Sequence, residues 1–243
     1  MIQLSKRLQA LANLVDNCET VADVGTDHGY IPVYLVDCKK AKRAIAMDVN
    51  LGPLLRAKEH IEQYNMQKKI ESRLSDGLSA LKPKEAEIIV IAGMGGGLMM
   101  RILTQGKEIA KTARRLVLQP QSELMAFREF LYKNNYQIVA EDMVFEEGKY
   151  YPMLVVQNAK WELEKANRIV FQYGPLLLQQ KHPVLQQYLL LQQEQKRKIL
   201  LHLSEKSTEN ATNGKAKLEQ ELEDIENVLQ LMQSLDNQIP HSK

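Results

Sequence analysis

Apolar positions in the first two thirds of the chain fall into short dense runs separated by longer amphipathic stretches. Leu4, Leu8, Leu11, Ala12 and Val15 recur at near-helical spacing, which predicts a helix over 4–16. Compact apolar runs predict strands over 20–24, 44–48, 70–74, 88–92 and 116–118, with helices such as 54–64 and 98–103 between them. This alternation reads as βα units on a parallel sheet covered on both faces. The pattern then changes. Segments 136–145 and 150–157 are joined only by Glu146-Glu147-Gly148-Lys149, too few residues for a crossover helix, so an antiparallel hairpin is expected to end the sheet.

Beyond Gln157 the period becomes helical. Pro183 suits the start of a helix carrying Val184, Leu185, Tyr188, Leu189, Leu191, Gln192, Ile199 and Leu203. The polar interval Ser207-Thr208-Glu209-Asn210-Ala211-Thr212-Asn213-Gly214 precedes a second series, Leu218, Leu222, Ile225, Leu229 and Met232. Two long helices about such a turn fold back most simply as an antiparallel coiled-coil hairpin. The expected division is an α/β domain over 1–160 and a helical domain over 161–243. RNA contact, self-association and packing against the first domain all remain open as roles for the hairpin.

Composition narrows the partners. A formal charge of +2 does not announce nucleic acid, although Lys39-Lys40, Lys42-Arg43 and Lys68-Lys69 form local clusters. Cys18 and Cys38 lack metal-ligand spacing, so no metal is expected, and the start of the chain carries no uninterrupted apolar signal segment. A reduced, cytoplasmic setting is the expectation, and no window approaches the ~20 apolar residues that cross a bilayer.

Four strand ends in succession carry carboxylates or glycines. The first is Val21-Ala22-Asp23-Val24-Gly25-Thr26-Asp27-His28-Gly29-Tyr30, in which Gly25 and Gly29 permit a tight bend close to a ligand. It is not a dinucleotide fingerprint: Asp27 stands where that motif has glycine, and its charge would repel a pyrophosphate. S-adenosylmethionine has no phosphate, and its ammonium group suits a nearby Asp23. Asp48 ends the second strand, where a carboxylate can accept from both ribose hydroxyls. Asp76-Gly77 follows the third and places a carboxylate at the adenine edge, although Asp-Gly also serves ordinary turns. Ile91-Ala92-Gly93-Met94-Gly95-Gly96 ends the fourth; Gly93 and Met94 are read with the cofactor, and Gly95 and Gly96 as a bare lip for the substrate base.

The parallel sheet with a terminal hairpin resembles the Rossmann-like class I fold of S-adenosylmethionine-dependent methyltransferases. More specifically, Asp23-Val24-Gly25-Thr26-Asp27-His28-Gly29-Tyr30, Ile91-Ala92-Gly93-Met94-Gly95-Gly96, the Gln119-Pro120 pair and the helical end are similar to the bacterial tRNA (adenine-N1)-methyltransferases acting on adenine 22 of the D-arm. The likeness spans nearly the whole chain and is strongest over 4–158. It implies S-adenosyl-L-methionine as methyl donor, tRNA rather than DNA or membrane as partner, and a coiled coil that helps hold tRNA. Family members are expected to show serine at Thr26 and alanine at Gly29, both small changes in volume. A small-molecule methyltransferase and a non-catalytic RNA-binding scaffold are the competing readings. A monomer is the expected state.

Within that frame Asp27 is the expected catalytic carboxylate, with an Asx-type cap of the loop as its alternative, and His28 is its neighbouring candidate. Tyr30, Tyr150 and Tyr151 are candidates for stacking on an unpaired target base, and Gln119-Pro120-Gln121 for the pocket mouth. Lys6-Arg7 and Arg114-Arg115 read either as phosphate contacts or as solvated surface.

Overall fold

The computed structural model of the protein describes residues 2–161, 167–204 and 209–234. Seven strands form one sheet: β1 Cys18–Val24, β2 Ala41–Asp48, β3 Ile70–Leu74, β4 Ile88–Met94, β5 Arg115–Pro120, β6 Tyr136–Glu146 and β7 Lys149–Asn158. Their order is β3-β2-β1-β4-β5-β7-β6. The first five pair in parallel, whereas β7 runs antiparallel between β5 and β6. From β1 the chain moves outward to β2 and β3, then returns to lay β4 on the other side of β1. That reversal opens a crevice beyond the carboxyl ends of β1 and β4, where an open α/β sheet receives its ligand.

The helices, in chain order, are α1 Lys6–Asn13, α2 Tyr30–Asp37, α3 Leu51–Gln63, α4 Gly96–Gln105, α5 Lys107–Ala110, α6 Leu124–Lys133, α7 Arg168–Tyr173, α8 Pro175–Gln179, α9 Pro183–Ser204 and α10 Glu209–Ser234. Alternate strand residues serve opposite faces, as the two-residue period requires. Val21, Ala44, Ala46, Ile88, Val90, Val117 and Val155 join Leu11, Val15, Val33, Leu35 and Ile61 in one cluster. Ala22, Ile45, Met47, Ile89, Ile91, Leu118 and Leu154 are the buried alternates. Both faces being covered explains why these strands read as continuous apolar runs.

Element edges depart from the sequence reading in instructive places. The fourth strand continues to Met94, with a register shift between Ala92 and Met94, so Gly93 sits at a bulge inside the strand. Gly95, Gly96 and Gly97 start a helix: Gly95 is the N-cap, the other two open α4, and Gly96, expected at a bare lip, is buried against the Ser122 backbone. The interval expected as a turn is also shorter, because 209–214 belong to the backbone of α10; Ser207 and Thr208 lie outside the described residues.

Two compact units are resolved, Met1–Gln172 and Tyr173–Lys243. In the second, α9 and α10 pack on each other. Lys196 Nζ meets Glu221 at 2.5 Å, Arg197 meets Glu226 at 2.7 Å, and Leu185, Leu189, Leu222, Ile225 and Leu229 are buried. None of the described helices is long and apolar enough to cross a membrane.

Candidate active site

The carboxyl ends of β1 to β4 bring most of the expected residues to one crevice. Asp23, at the end of β1, is 6% exposed. Burial pushes its carboxyl up to about 6; the nearby Thr26 hydroxyl opposes the rise and the Asp48 charge adds to it. Thr26 Oγ1 is itself buried and falls short of hydrogen-bond geometry with any described group. Past Asp23 the chain turns through Gly25, whose φ is +79°, and the amides of Gly25 and Thr26 both donate to the Met47 carbonyl, at 2.8 and 2.9 Å. A Cβ at Gly25 would stand 2.2 Å from the Met94 Cε. The bend needs glycine for its dihedral, whereas the Met94 methyl is the free end of a flexible side chain and can move aside.

Asp48 is equally well buried. Its Oδ1 accepts from the Asn50 amide at 2.7 Å, and its Oδ2 receives no hydrogen bond from the described residues. Asp76 is exposed after β3, while the neighbouring Gly77 is buried at a φ of +57° against Ile102. Ser75 holds this turn, with Oγ donating to the Gly77 carbonyl at 2.9 Å and accepting from the Ala80 amide at 3.1 Å.

Asp27 projects outward, with its side chain 64% exposed, and pairs with Arg56 of α3 at 2.5 Å. His28 Nε2 lies 3.6 Å from its other oxygen. The carboxylate thus engages neighbouring side chains where an Asx-type cap would have engaged the loop backbone. Arg56 has no signal in the sequence, since 29 residues separate it from Asp27. Gly29, at a φ of +67°, caps α2 and leads to Tyr30, which is 40% exposed. The rings of His28, Tyr30, His60 and Tyr64 follow one another at 5.4, 4.9 and 4.9 Å.

On the other flank of β4, Gly93 is exposed and its amide donates to Gln119 Oε1 at 3.2 Å. Gln119 and Pro120, read with Gln121 as lining the pocket mouth, are buried, and Gln121 beside them is exposed. Gln119 Oε1 accepts from Arg7 Nη1 at 3.0 Å, and the Arg7 guanidinium covers one face of Tyr151, 5.4 Å from its centroid. Tyr150 packs on Phe145, with centroids 4.6 Å apart. Glu123, which the sequence reading passed over, accepts from the Gly97 amide at 2.8 Å and so ties the start of α6 to that of α4. Beside this junction a cleft of about 630 Å³ is lined by residues of 121–126, Glu129 and Gln172. Of the two basic pairs, Arg114 is committed to Asp16 and Glu87, whereas among the described residues no ion pair engages Arg7.

Two buried carboxylates, a buried hydroxyl with no partner among the described residues and a glycine bend together offer acceptors suited to a small cationic, hydroxyl-bearing ligand. The family model described as a methyltransferase domain matches residues 4–154. The tRNA (adenine(22)-N(1))-methyltransferase of Bacillus subtilis is 42% identical over 64% of this chain and 66% of its own length. The crystal structure of the B. subtilis m1A22 tRNA methyltransferase superposes with a TM-score of 0.83 at 33% identity, over 94% of this chain and 100% of that one. A Streptococcus pneumoniae protein solved with S-adenosyl-L-methionine also gives 0.83 at 33% identity, over 93% and 100%. A Mycoplasma capricolum relative solved with S-adenosyl-homocysteine gives 0.80 at 26% identity, over 95% and 99%.

Proposed function

The chain belongs to the bacterial tRNA (adenine-N1)-methyltransferase family, and on that premise we propose that it transfers the methyl group of S-adenosylmethionine to N1 of adenine 22 in tRNA. The observation that carries this reading is the convergence of Asp23, Asp48 and the Gly25 bend at the β1–β4 reversal. When bound, the cofactor supplies an electrophilic methyl group on a sulfonium sulfur.

Asp48 accepts from the ribose hydroxyls through its open Oδ2, and Asp76 takes the exocyclic amine of the cofactor's adenine. Asp23 in its ionised form balances the methionyl ammonium, with Thr26 as a further partner. Gly25, Gly29, Gly77, Gly93 and Met94 shape the backbone against which the cofactor lies. Adenine N1 carries an in-plane lone pair and needs no prior loss of a proton, so alignment and exclusion of water supply most of the acceleration. As the new bond forms, positive charge moves onto the purine. Asp27 is the carboxylate placed to stabilise that charge, steadied by Arg56 and His28. Tyr30 and Gly95 border the base, Tyr150 and Tyr151 are further stacking partners for it, and Gln119-Pro120 supports the site from beneath.

The α/β part, 1–160, is the catalytic domain, and within the helical part, 161–243, α9 and α10 form an antiparallel coiled-coil hairpin that holds tRNA. The protein acts in the cytoplasm as a monomer. Labelled methyl transfer to two tRNA transcripts, one with adenine and one with guanine at position 22, tests the reading. Label confined to the adenine transcript and recovered as 1-methyladenosine is expected; equal label in both, or none in either, would refute it. Asp27→Ala should lower that transfer rate by 10²-fold or so while leaving cofactor affinity largely intact, in line with the worth of a single transition-state contact.

A further inference from the structure

Arg7 approaches the site from α1 and is half-buried. Its guanidinium lies over the Tyr151 ring and its Nη1 donates to Gln119 Oε1. Gln119, 0% exposed, has its orientation fixed from three directions: Oε1 also accepts from the Gly93 amide at 3.2 Å, and Nε2 donates to the Pro120 carbonyl at 3.2 Å. So much structure behind one guanidinium aims it. Yet no described carboxylate pairs with it, and Glu146 engages only the Arg7 backbone N–H, at 3.2 Å. Arg56, Arg73, Arg114 and Arg128 have acidic partners, while Arg43, Arg101 and Arg115, like Arg7, show none among the described residues; what sets Arg7 apart is its anchoring beside Gly93. Half-buried and held by the Tyr151 ring and Gln119, the guanidinium keeps its positive charge available to an anion.

The place of that anion follows from Gly93. A Cβ built there would lie 3.8 Å from Arg7 Nη1 and 3.8 Å from Gln121 Nε2, so two N–H donors flank an exposed, side-chain-free patch. The patch faces β5 and β7, on the opposite flank of β4 from Asp48 and Asp76 of the β2–β3 side. A guanidinium facing the purine ring would oppose the positive charge that develops there. Its planar fork matches two phosphate oxygens.

We propose that Arg7, with Gln121 beside it, receives a backbone phosphate of the tRNA nucleotide delivered over Gly93. This rests on the reading of the protein as a tRNA methyltransferase. Arg7→Gln and Arg7→Lys in the full chain, with melting checked, are compared with the unsubstituted protein for tRNA affinity across salt concentrations, for KM and kcat, and for S-adenosyl-homocysteine affinity by calorimetry.

Loss of one phosphate contact makes the slope of log affinity against log salt shallower by about 0.7 to 0.9. Arg7→Gln should show that change and a KM for tRNA raised about tenfold, with S-adenosyl-homocysteine affinity unchanged; the single lost charge-assisted contact sets this scale. Arg7→Lys should keep the slope but bind more weakly, having lost the fork. Gln121→Glu, at an exposed position, sets a carboxylate beside Arg7 and should reproduce the shallower slope even if Arg7→Gln does not fold. An unchanged slope in these charge-altering variants overturns the proposal. Lost S-adenosyl-homocysteine affinity at constant slope would reassign Arg7 to the cofactor's carboxylate and overturn it equally. Failure of the unsubstituted protein to methylate tRNA would instead sink the underlying function.

Discussion

Lowering the pH should weaken cofactor binding through Asp23. Its carboxyl is raised from an ordinary 3.8 to about 6 by burial at the end of β1, and a methionyl ammonium beside it requires the ionised form. At pH 5 only about one molecule in eleven carries that charge, so affinity for S-adenosyl-homocysteine should fall about tenfold from its value at pH 7.5, roughly 1.4 kcal/mol. Calorimetry in buffers of different ionisation enthalpy should detect about 0.9 proton released on binding at pH 5 and almost none at pH 7.5. Folding of the unliganded protein has the opposite slope. Because the folded-state value lies above the unfolded one, the native state binds the extra proton between pH 4 and 6. Stability is therefore fullest below that window and falls as pH rises through it, by up to about 3 kcal/mol, with no further change above. Asp23→Asn should abolish both dependences. A pH-independent affinity, or a dependence that survives in Asp23→Asn, would refute the assignment.

Asp48→Ala removes two charge-assisted hydrogen bonds to ribose, each worth roughly 1.5 to 3 kcal/mol, and should weaken S-adenosyl-homocysteine binding more than tenfold; equal titrations before and after would strip Asp48 of its role. Gly25→Ala places a methyl 2.2 Å from Met94 Cε on a backbone at φ +79°. A loss of about 1 to 3 kcal/mol in urea unfolding is expected, essentially none of it recovered by adding Met94→Ala, because the Met94 methyl moves aside and the dihedral strain remains. Arg128 is 2% exposed, meets Glu141 at 3.1 Å and donates to the Phe171 and Gln172 carbonyls. Arg128→Ala should cost about 3 to 5 kcal/mol by leaving a buried carboxylate without its guanidinium, and an unfolding midpoint near that of the unsubstituted protein would contradict this.

The sheet was legible because its strands are buried on both faces and leave dense apolar runs, and because the four-residue link 146–149 forbids a crossover. Helix α2 was harder: Tyr30 to Val36 is apolar almost throughout, so no 3.6-residue period distinguishes its faces. The site divides along the same line between local and distant information. Asp23 and Asp48 sit at strand ends, Gly25 just past one and Gly93 at a bulge near the end of β4, and the strand pattern alone carries them to the crevice. Arg56, Glu123 and the Arg7–Gln119 link are set by contacts across 29, 26 and 112 residues, which no local spacing encodes. Burial is the other hidden quantity. Gln119 and Asp76 both follow or end strands, yet the first is enclosed and the second exposed, because β5 lies inside the sheet whereas β3 is at its edge.

A crystal structure of the protein with S-adenosyl-homocysteine tests most directly whether the strand ends enclose one sulfur-bearing nucleoside. Both ribose hydroxyls should lie within hydrogen-bond distance of Asp48, the amino group should lie beside Asp23, and the backbone of Gly25 should touch the ligand. The ligand bound at another edge of the sheet, or Asp23 and Asp48 turned away from it, would contradict the assignment.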